Sequence, residues 1–220
     1  VLEAKKFAES LGAEHFIVDA REDFKNIVVK NFINEYFDAR TPNPCVVCNN
    51  NIKWKTMLKK AEELKCDYIA TGHYSQIRHE NGRWIIYKAV DESKDQSYVL
   101  WQLTQEQISK TLLPLGKYRK SEIKEIAFKM GFEKLSRKKE SQEICFIPDN
   151  DYRNFLSKMT SEESHKIEKG EFIDQSGKIL GYHQGYPFYT IGQRKGLRIA
   201  LGYPAYILKI DKNTNRITLG

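Results

Sequence analysis

No run in the 220-residue sequence approaches the ~20 consecutive apolar residues that a helix needs to cross a bilayer. The first residues, VLEAK, also lack the charged and then apolar pattern of a secretory signal peptide. Four cysteines are too few for a disulfide-stabilised scaffold in a chain of this length. These absences predict a cytoplasmic protein without membrane association, in which cysteines serve catalysis or metal binding more often than stability.

The remaining composition is that of a globular protein with an acidic partner. An apolar fraction of 40% is enough to form cores, and the formal net charge of +7 favours a polyanion such as nucleic acid. Near its start, apolar residues at helical spacing run up to Gly12, so the sequence opens inside or beside a helix. It stops on a strand-like segment at 216–219. We therefore expect a fragment that lacks sequence on both sides.

Residues 1–97 alternate between strand-like and helical patterns. The predicted strands are 15–19 and 67–72, and the predicted helices are 23–37 and 52–64. This alternation is typical of part of an α/β domain with a parallel sheet, in which ligands bind beyond the carboxyl ends of the strands. Gly72 and His73 would lie at such an end. A hairpin should follow, turning at Asn81-Gly82.

The pattern of residues along the sequence changes twice more. Residues 98–166 read as a small, mainly helical domain, with a capping box formed by Thr104 and Gln107 and a second helix cap at Ser121. Residues 167–220 are short β-prone runs punctuated by glycines, which predicts the start of a β-barrel or sandwich domain. Its last two strands should be 206–211 and 216–219.

A cysteine pair in the segment RTPNPCVVCNN is the first chemical feature. Each proline fixes its own φ and restricts the preceding residue, which predicts a stiff, extended approach to Cys45. If a helix starts at Asn50 or Asn51, Cys48 lies at its positive end, where the thiolate form is favoured. The alternatives are a zinc knuckle and two small packing residues.

Other candidates are less specific. Cys145, in EICFI, could be a buried core residue or a reactive thiol reached through the basic loop that precedes it, whereas Cys66 reads as a packing residue. His73 could touch a ligand or cap a strand end. The loops at 93–97 and 189–196 could grip RNA and phosphates, respectively, or could simply be solvated turns.

Five ordered segments make a stronger pattern than any single site. They are TPNPCVVCNNNIKW, DYIATGHY, KDQSYVLWQL, ESQEICFI and GYHQGYPFYTIGQRKGL. In this order they resemble the bacterial tRNA-specific 2-thiouridylase family along essentially the whole chain. The resemblance implies a PP-loop ATPase-like nucleotide-binding domain, a helical domain and a β-barrel domain.

The resemblance also implies an activity and a set of site residues. Members of the family adenylate the 2-carbonyl of the wobble uridine with ATP and Mg²⁺, then replace its oxygen with sulfur from a cysteine persulfide. By position, Cys48 matches the nucleophile and Cys145 the persulfide carrier. The other matched positions contact the target base (Asn43, Pro44, Cys45), the nucleotide (Gly72) and tRNA (His73, Lys94, Asp95, Gln96). The implied partners are the anticodon region of tRNA and a sulfur-donor relay protein, and we expect a monomer.

Two departures from the family pattern affect this interpretation. The sequence has no SGGxDS phosphate loop, so we expect the ATP-phosphate site to lie outside this fragment and the fragment alone to be inactive. Cys45 stands where many members have Asp. Three thiols, Cys45, Cys48 and Cys145, would then suit a [4Fe-4S] cluster with one open iron, which competes with the persulfide relay.

Two functions from other classes remain open. The first is a non-catalytic RNA-binding protein whose CxxC holds structural zinc, and this protein would unfold when the metal is removed. The second is a thioredoxin-like oxidoreductase, whose CxxC should follow a strand and open a helix.

Overall fold

A computed structural model describes residues 2–137, 144–159 and 166–220. The chain divides into two compact units. The first unit contains Val1–Ile27 and Cys45–Lys138, and the second contains Val28–Pro44 and Lys139–Gly220. Each unit has hydrophobic clusters of its own.

Seven helices are described. Two of them are long and pass through a wider, π-helical segment without interruption. The helices are α1 (Leu2–Ser10), α2 (Arg21–Asp23, π-segment Phe24–Val29, Lys30–Phe37), α3 (Pro44–Cys48, π-segment Asn49–Trp54, Lys55–Glu63), α4 (Gln105–Ser109), α5 (Lys120–Lys129), α6 (Glu133–Ser136) and α7 (Tyr152–Met159). Short 3₁₀ turns occur at Glu92–Lys94, Ser97–Val99, Pro114–Lys117 and Tyr186–Phe188.

The first unit holds two small sheets. The strands are β1 (Ile69–Ala70), β2 (Ser75–Glu80), β3 (Arg83–Lys88) and β4 (Thr111–Leu112). Strands β1 and β4 pair in parallel, with Ile69 opposite Thr111, which confirms parallel pairing in this part of the chain. Strands β2 and β3 form the predicted hairpin, and both turn residues, Asn81 and Gly82, have positive φ, as a type I′ turn requires.

Helix α3 supplies the centre of the first unit's core. Trp54 is fully buried and packs in a cluster with residues from β1, α4 and the turn after the hairpin. The other buried members are Val46, Ile69, Val99, Leu100, Leu103, Ile108 and Leu113. Burial of these apolar side chains, each stabilising by roughly 1.5–3 kcal/mol, fixes α3 against the parallel strand pair.

Two sequence predictions for the first unit need correction. The segment 15–19 is irregular, and Phe16, Ile17 and Val18 are all exposed, because no described strand lies beside it. Ser121 is inside α5 rather than at its cap, since the helix begins at Lys120 and the backbone N–H of Arg119 donates to the Glu122 carboxylate. By contrast, the Thr104–Gln107 capping box is confirmed.

The second unit is organised around a four-stranded sheet. Its strands are β5 (Gly170–Ile173), β6 (Ile179–His183), β7 (Ile207–Asp211) and β8 (Arg216–Leu219), in the order β6-β5-β8-β7. The β7–β8 pair confirms the predicted terminal hairpin. Phe172, Ile207 and Ile217 are buried on one face of this sheet.

A second cluster in this unit joins the end of α2 to α7. Phe32 is fully buried and makes edge-to-face contacts with Phe146 and Phe155, with ring centroids 5.3 and 6.0 Å apart. The Tyr186 hydroxyl donates to the backbone oxygen of Phe37 at 2.8 Å. This cluster fixes the segment that carries Cys145, because Phe146 and Ile147 belong to it.

Candidate functional site

Cys45 and Cys48 lie on the first two turns of α3. The prediction that this helix begins at Asn50 or Asn51 is wrong, because it begins at Pro44. Proline at the first helical position loses no hydrogen bond and already has a helical φ, which is why this start is favourable. Residues three apart in a helix lie on one face, so both thiols are on the same side of α3. Cys45 is exposed and Cys48 is half-buried.

Two buried polar contacts anchor α3 just beyond the cysteines. The indole Nε1 of Trp54 donates to Thr111 Oγ1 at 2.8 Å, and this hydroxyl donates in turn to the backbone oxygen of Gln107 at 2.6 Å. Asn49 is almost completely buried, and its Nδ2 donates to the backbone oxygen of Val99 at 3.2 Å. These contacts hold the thiol-bearing turn in one orientation. Sequence analysis missed them because both partners are distant along the chain.

The π-segment after Cys48 has its own polar support. Hydrogen bonds in a π-helix reach one residue further than in an α-helix, which leaves a backbone carbonyl without its usual donor. The side-chain Nδ2 of Asn51 donates to the backbone oxygen of Val47 at 3.1 Å. Wide turns of this kind occur frequently at functional sites.

His73 packs against the same tryptophan. Its ring centroid is 5.3 Å from that of Trp54, and its Nδ1 lies 2.9 Å from Thr71 Oγ1. Burial, assisted by the positive charge of Lys53, lowers the pKa of His73 to about 4. The imidazole is therefore neutral at pH 7 and offers hydrogen bonds rather than a positive charge. Gly72, next to His73, is exposed. A Cβ added there would have room, since its nearest neighbour would be Leu115 Cδ1 at 3.6 Å.

The loop 94–97 is tied to the hairpin through two of its predicted site residues. Gln96 and Tyr74 exchange two hydrogen bonds, from Tyr74 N to Gln96 Oε1 and from Gln96 N to the Tyr74 backbone oxygen. Asp95 accepts from Ala89 N at 2.8 Å and from the Ser97 hydroxyl at 2.6 Å. Asp95 and Gln96 thus shape the loop, while Lys94, half-buried, lies on its 3₁₀ turn.

Two aromatic side chains beside this loop were not singled out from the sequence. Tyr98 is 62% exposed and Trp101 is 68% exposed, and both come within five residues of Gln96 in the sequence. Exposed aromatic rings are suited to stacking on unpaired bases. Their position in KDQSYVLW is the sequence signal that could have identified them.

The remaining predicted thiol belongs to the second unit. Cys145 is exposed on a turn closed by the bond from Ile147 N to the Ile144 backbone oxygen at 2.9 Å, so it is not a core residue. Residues 138–143, which include most of the basic loop predicted to precede it, lie outside the described residues. Asn43 is exposed and Pro44 is buried; both are also assigned to this unit.

Cys66 is exposed as well, so the prediction that it is a packing residue is wrong. It lies in the C-terminal cap of α3, where Cys66 N donates to the Ala61 backbone oxygen at 2.8 Å and Lys65 has a φ of 57°. This left-handed cap ends the helix and leaves the thiol at the surface.

The basic loop of the second unit borders a shallow pocket of about 200 Å³. Arg194, Arg198 and Tyr203 line it, and the sequence contains no acidic residue between Asp174 and Asp211. A pocket with two guanidinium groups and no carboxylate nearby in sequence is suited to phosphate oxygens.

Within the described residues, no three His, Cys, Asp or Glu side chains are grouped so that they could hold a metal ion. The described helices also include none that is long and apolar enough to cross a membrane. The candidate reactive groups of the first unit are the two thiols of α3, with the polar side chains around them.

Comparison with known proteins assigns the chain to a family. Residues 1–149 match the model described as tRNA methyl transferase HUP domain, and 153–220 match tRNA methyl transferase PRC-barrel domain. These matches confirm the predicted order of an α/β nucleotide-binding domain followed by a barrel domain. The tRNA-specific 2-thiouridylase MnmA of Amoebophilus asiaticus is 54% identical over 218 residues, which is 99% of this chain and 58% of that protein.

MnmA of Cytophaga hutchinsonii is 51% identical over 218 residues, again 99% of this chain and 59% of the relative. The chain thus spans about three fifths of the length of the curated relatives it matches. Both the domain order and the relatives agree with the resemblance seen in the five sequence segments. The chain therefore belongs to the tRNA methyl transferase HUP-domain family, the family of the tRNA-specific 2-thiouridylases named MnmA.

Proposed function

We propose that this chain carries the sulfur-transfer part of an enzyme that converts the wobble uridine of tRNA to 2-thiouridine. The observation that supports it most is the pair of thiols on the anchored first turns of α3, in a chain whose relatives are named for this reaction. ATP would adenylate the 2-carbonyl oxygen and so turn it into a good leaving group. Sulfur would then arrive as a cysteine persulfide.

The roles of the two cysteines are those that the family resemblance implies, and the electron balance is consistent with them. The terminal sulfur of a persulfide on Cys145 attacks C2 of the adenylated uridine, and AMP leaves with the former carbonyl oxygen. The thiolate of Cys48 then attacks the Cys145 sulfur, which breaks the persulfide bond and leaves the transferred sulfur on C2. A Cys48–Cys145 disulfide results, and an external thiol reduces it before the next cycle.

The side chains around α3 would hold the tRNA. Neutral His73 can donate or accept a hydrogen bond at the base, while Lys94, Asp95 and Gln96 would form the tRNA-binding loop. The Asp95 and Gln96 contacts to the hairpin preorganise this loop. Exposed Tyr98 and Trp101 offer faces on which unpaired anticodon bases could stack. Asn43, Pro44 and Cys45 would contact the target base.

ATP use accords with the HUP-domain match, with Gly72 as the nucleotide contact in this chain. Mg²⁺ would accompany the phosphates, for which this sequence contains no SGGxDS loop. Cys45 and Cys48 belong to the first unit and Cys145 to the second, and we derive no step through a [4Fe-4S] cluster on these three thiols. A structural zinc at the CxxC would need further ligands, and the described residues contain no group of three or more possible ligands. A relay protein would deliver the sulfur.

The test supplies the full-length enzyme with ATP, a persulfide donor and a tRNA transcript, and measures 2-thiouridine. Cys48→Ser should still load labelled sulfur on Cys145 but form no thiolated tRNA, and Cys145→Ser should do neither. Cys66→Ser, which removes another exposed thiol, is the matched control and should remain active. Full activity of the Cys48→Ser variant would refute the role given to this residue.

A further inference from the structure

The two cysteines of α3 are close enough to react with each other. With a rise of 1.5 Å per residue and 3.6 residues per turn, Cα atoms three residues apart lie about 5 Å apart. This distance falls within the range of roughly 4.4–6.8 Å seen in disulfides. Cβ atoms at this spacing are roughly 5–6 Å apart, so they must approach by about 1–2 Å for the sulfurs to bond.

The start of the helix is the place where such an adjustment costs least. The first four backbone N–H groups of any helix make no hydrogen bond within the helix, and Pro44 has no N–H at all. The N–H of Cys45 therefore has no helical hydrogen bond for such a shift to break. Beyond the pair, Asn49 and Trp54 fix the rest of α3 to the core, which confines the change to the first turn.

The two thiols also differ in accessibility. Cys45 is exposed, while Cys48 is half-buried in the next turn of the same face. A reagent or protein that forms a mixed disulfide with Cys48 thus leaves the Cys45 thiol beside it, ready to attack. The rest of α3 keeps its conformation when the disulfide forms, because only the first turn has to shift.

We propose that Cys45 and Cys48 are a dithiol–disulfide exchange pair, in which Cys45 releases a sulfur compound bound to Cys48. The Cys45 thiolate, its proton lost to water, attacks the Cys48 sulfur of the mixed disulfide. The Cys45–Cys48 bond forms, the bond from Cys48 to the outer sulfur breaks, and the partner leaves as a thiolate. The oxidant is the incoming disulfide or persulfide, and an external dithiol restores both thiols.

This step goes beyond the proposed thiolation and does not depend on it. In that reaction Cys45 only contacts the base, whereas here it forms a bond with its neighbour. The pair would free Cys48 whenever a disulfide with a small thiol or another cysteine blocks it. Its test therefore requires neither tRNA nor ATP.

The experiment uses the full chain with Cys66 and Cys145 replaced by Ser, treated with oxidised glutathione. Mass spectrometry with peptide mapping should find a Cys45–Cys48 disulfide and free glutathione. Adding Cys45→Ser should instead trap glutathione on Cys48. The adduct should be lost at least ~10-fold faster when Cys45 is present, because a neighbouring thiol acts at a millimolar or higher effective concentration.

Cys48→Ser is the matched control and should trap glutathione on Cys45. Circular dichroism of each oxidised form checks that α3 remains folded. Equal persistence of the glutathione adduct with and without Cys45 would overturn the proposal, as would a failure of either thiol to react. A thiolation-competent enzyme that forms no such disulfide would refute the exchange pair and leave the proposed function standing.

Discussion

The anchor at Trp54 makes a quantitative prediction about the first unit. Replacing Trp54 with Phe removes the indole N–H that donates to Thr111 Oγ1 at 2.8 Å, a loss of about 1 kcal/mol for a buried hydrogen bond. It also removes three buried heavy atoms, two of them carbons, at about 0.8 kcal/mol per carbon group. Together these losses should lower the free energy of unfolding by about 2.5 kcal/mol.

Urea denaturation followed by far-UV circular dichroism measures this loss. With a slope of roughly 2 kcal/mol per molar urea, the midpoint for the first unit should fall by about 1 M. Trp101→Phe is the matched control: this tryptophan is 68% exposed, so its midpoint should change by the equivalent of less than about 0.5 kcal/mol.

A second variant separates the hydrogen bond from the packing. Thr111→Val keeps the shape of the side chain but leaves the Trp54 N–H and the Gln107 carbonyl without their partner, which should cost about 1–2 kcal/mol. In the double variant the two losses should not add, because both remove the same bond. If Trp54→Phe shifts the midpoint no more than Trp101→Phe does, the anchor argument is wrong.

Three further predictions concern other parts of the molecule. The pKa of His73 is about 4 in the folded protein and about 6.5 in the unfolded chain, so the unfolded chain binds the proton first. The free energy of unfolding should therefore decline as pH falls from about 6.5 towards 4. An NMR titration midpoint of His73 near 6.5 would contradict this. Replacing Arg194 or Arg198 with Gln should weaken tRNA binding at all sequences and reduce the salt slope by about 1, whereas Lys178→Gln, outside the pocket, should not. Gly116→Ala places a Cβ against the Ser75 backbone oxygen and should lower the free energy of unfolding, measured in urea, by about 2 kcal/mol. The control Gly72→Ala makes only ordinary contacts and should change this free energy by less than about 0.5 kcal/mol. Equal effects of the two variants would show that the close approach of Gly116 to Ser75 is unimportant.

Local signals in the sequence predicted local structure well. Asn81-Gly82 identified the hairpin because few other dipeptides adopt positive φ twice in succession, and Thr104 with Gln107 identified a helix start because both bonds are made within four residues. The terminal hairpin was found for the same reason. Each of these features depends on residues that are neighbours along the chain.

Features that depend on distant partners were missed. The apolar run at 15–19 predicts a strand, yet a strand forms only where another offers its backbone groups, and no described strand does so. The prolines before Cys45 predict extended chain, but Pro44 occupies the one helical position where proline is favourable. Asn49 is recognisable as an anchor only once the Val99 carbonyl, fifty residues away, is in place.

The wide turn at Asn49–Trp54 sets the rotational phase between the thiols and the core. An α-helix advances about 100° per residue, so the single residue that a π-segment adds offsets everything before it by about that angle. If this segment were α-helical throughout, Trp54 could keep its contact with β4 only if Cys45 and Cys48 were rotated by about a quarter-turn around the helix axis. Deleting one asparagine from the CNNN run would therefore re-aim both sulfurs and move Val46 with them, while Trp54 keeps its contact with Thr111.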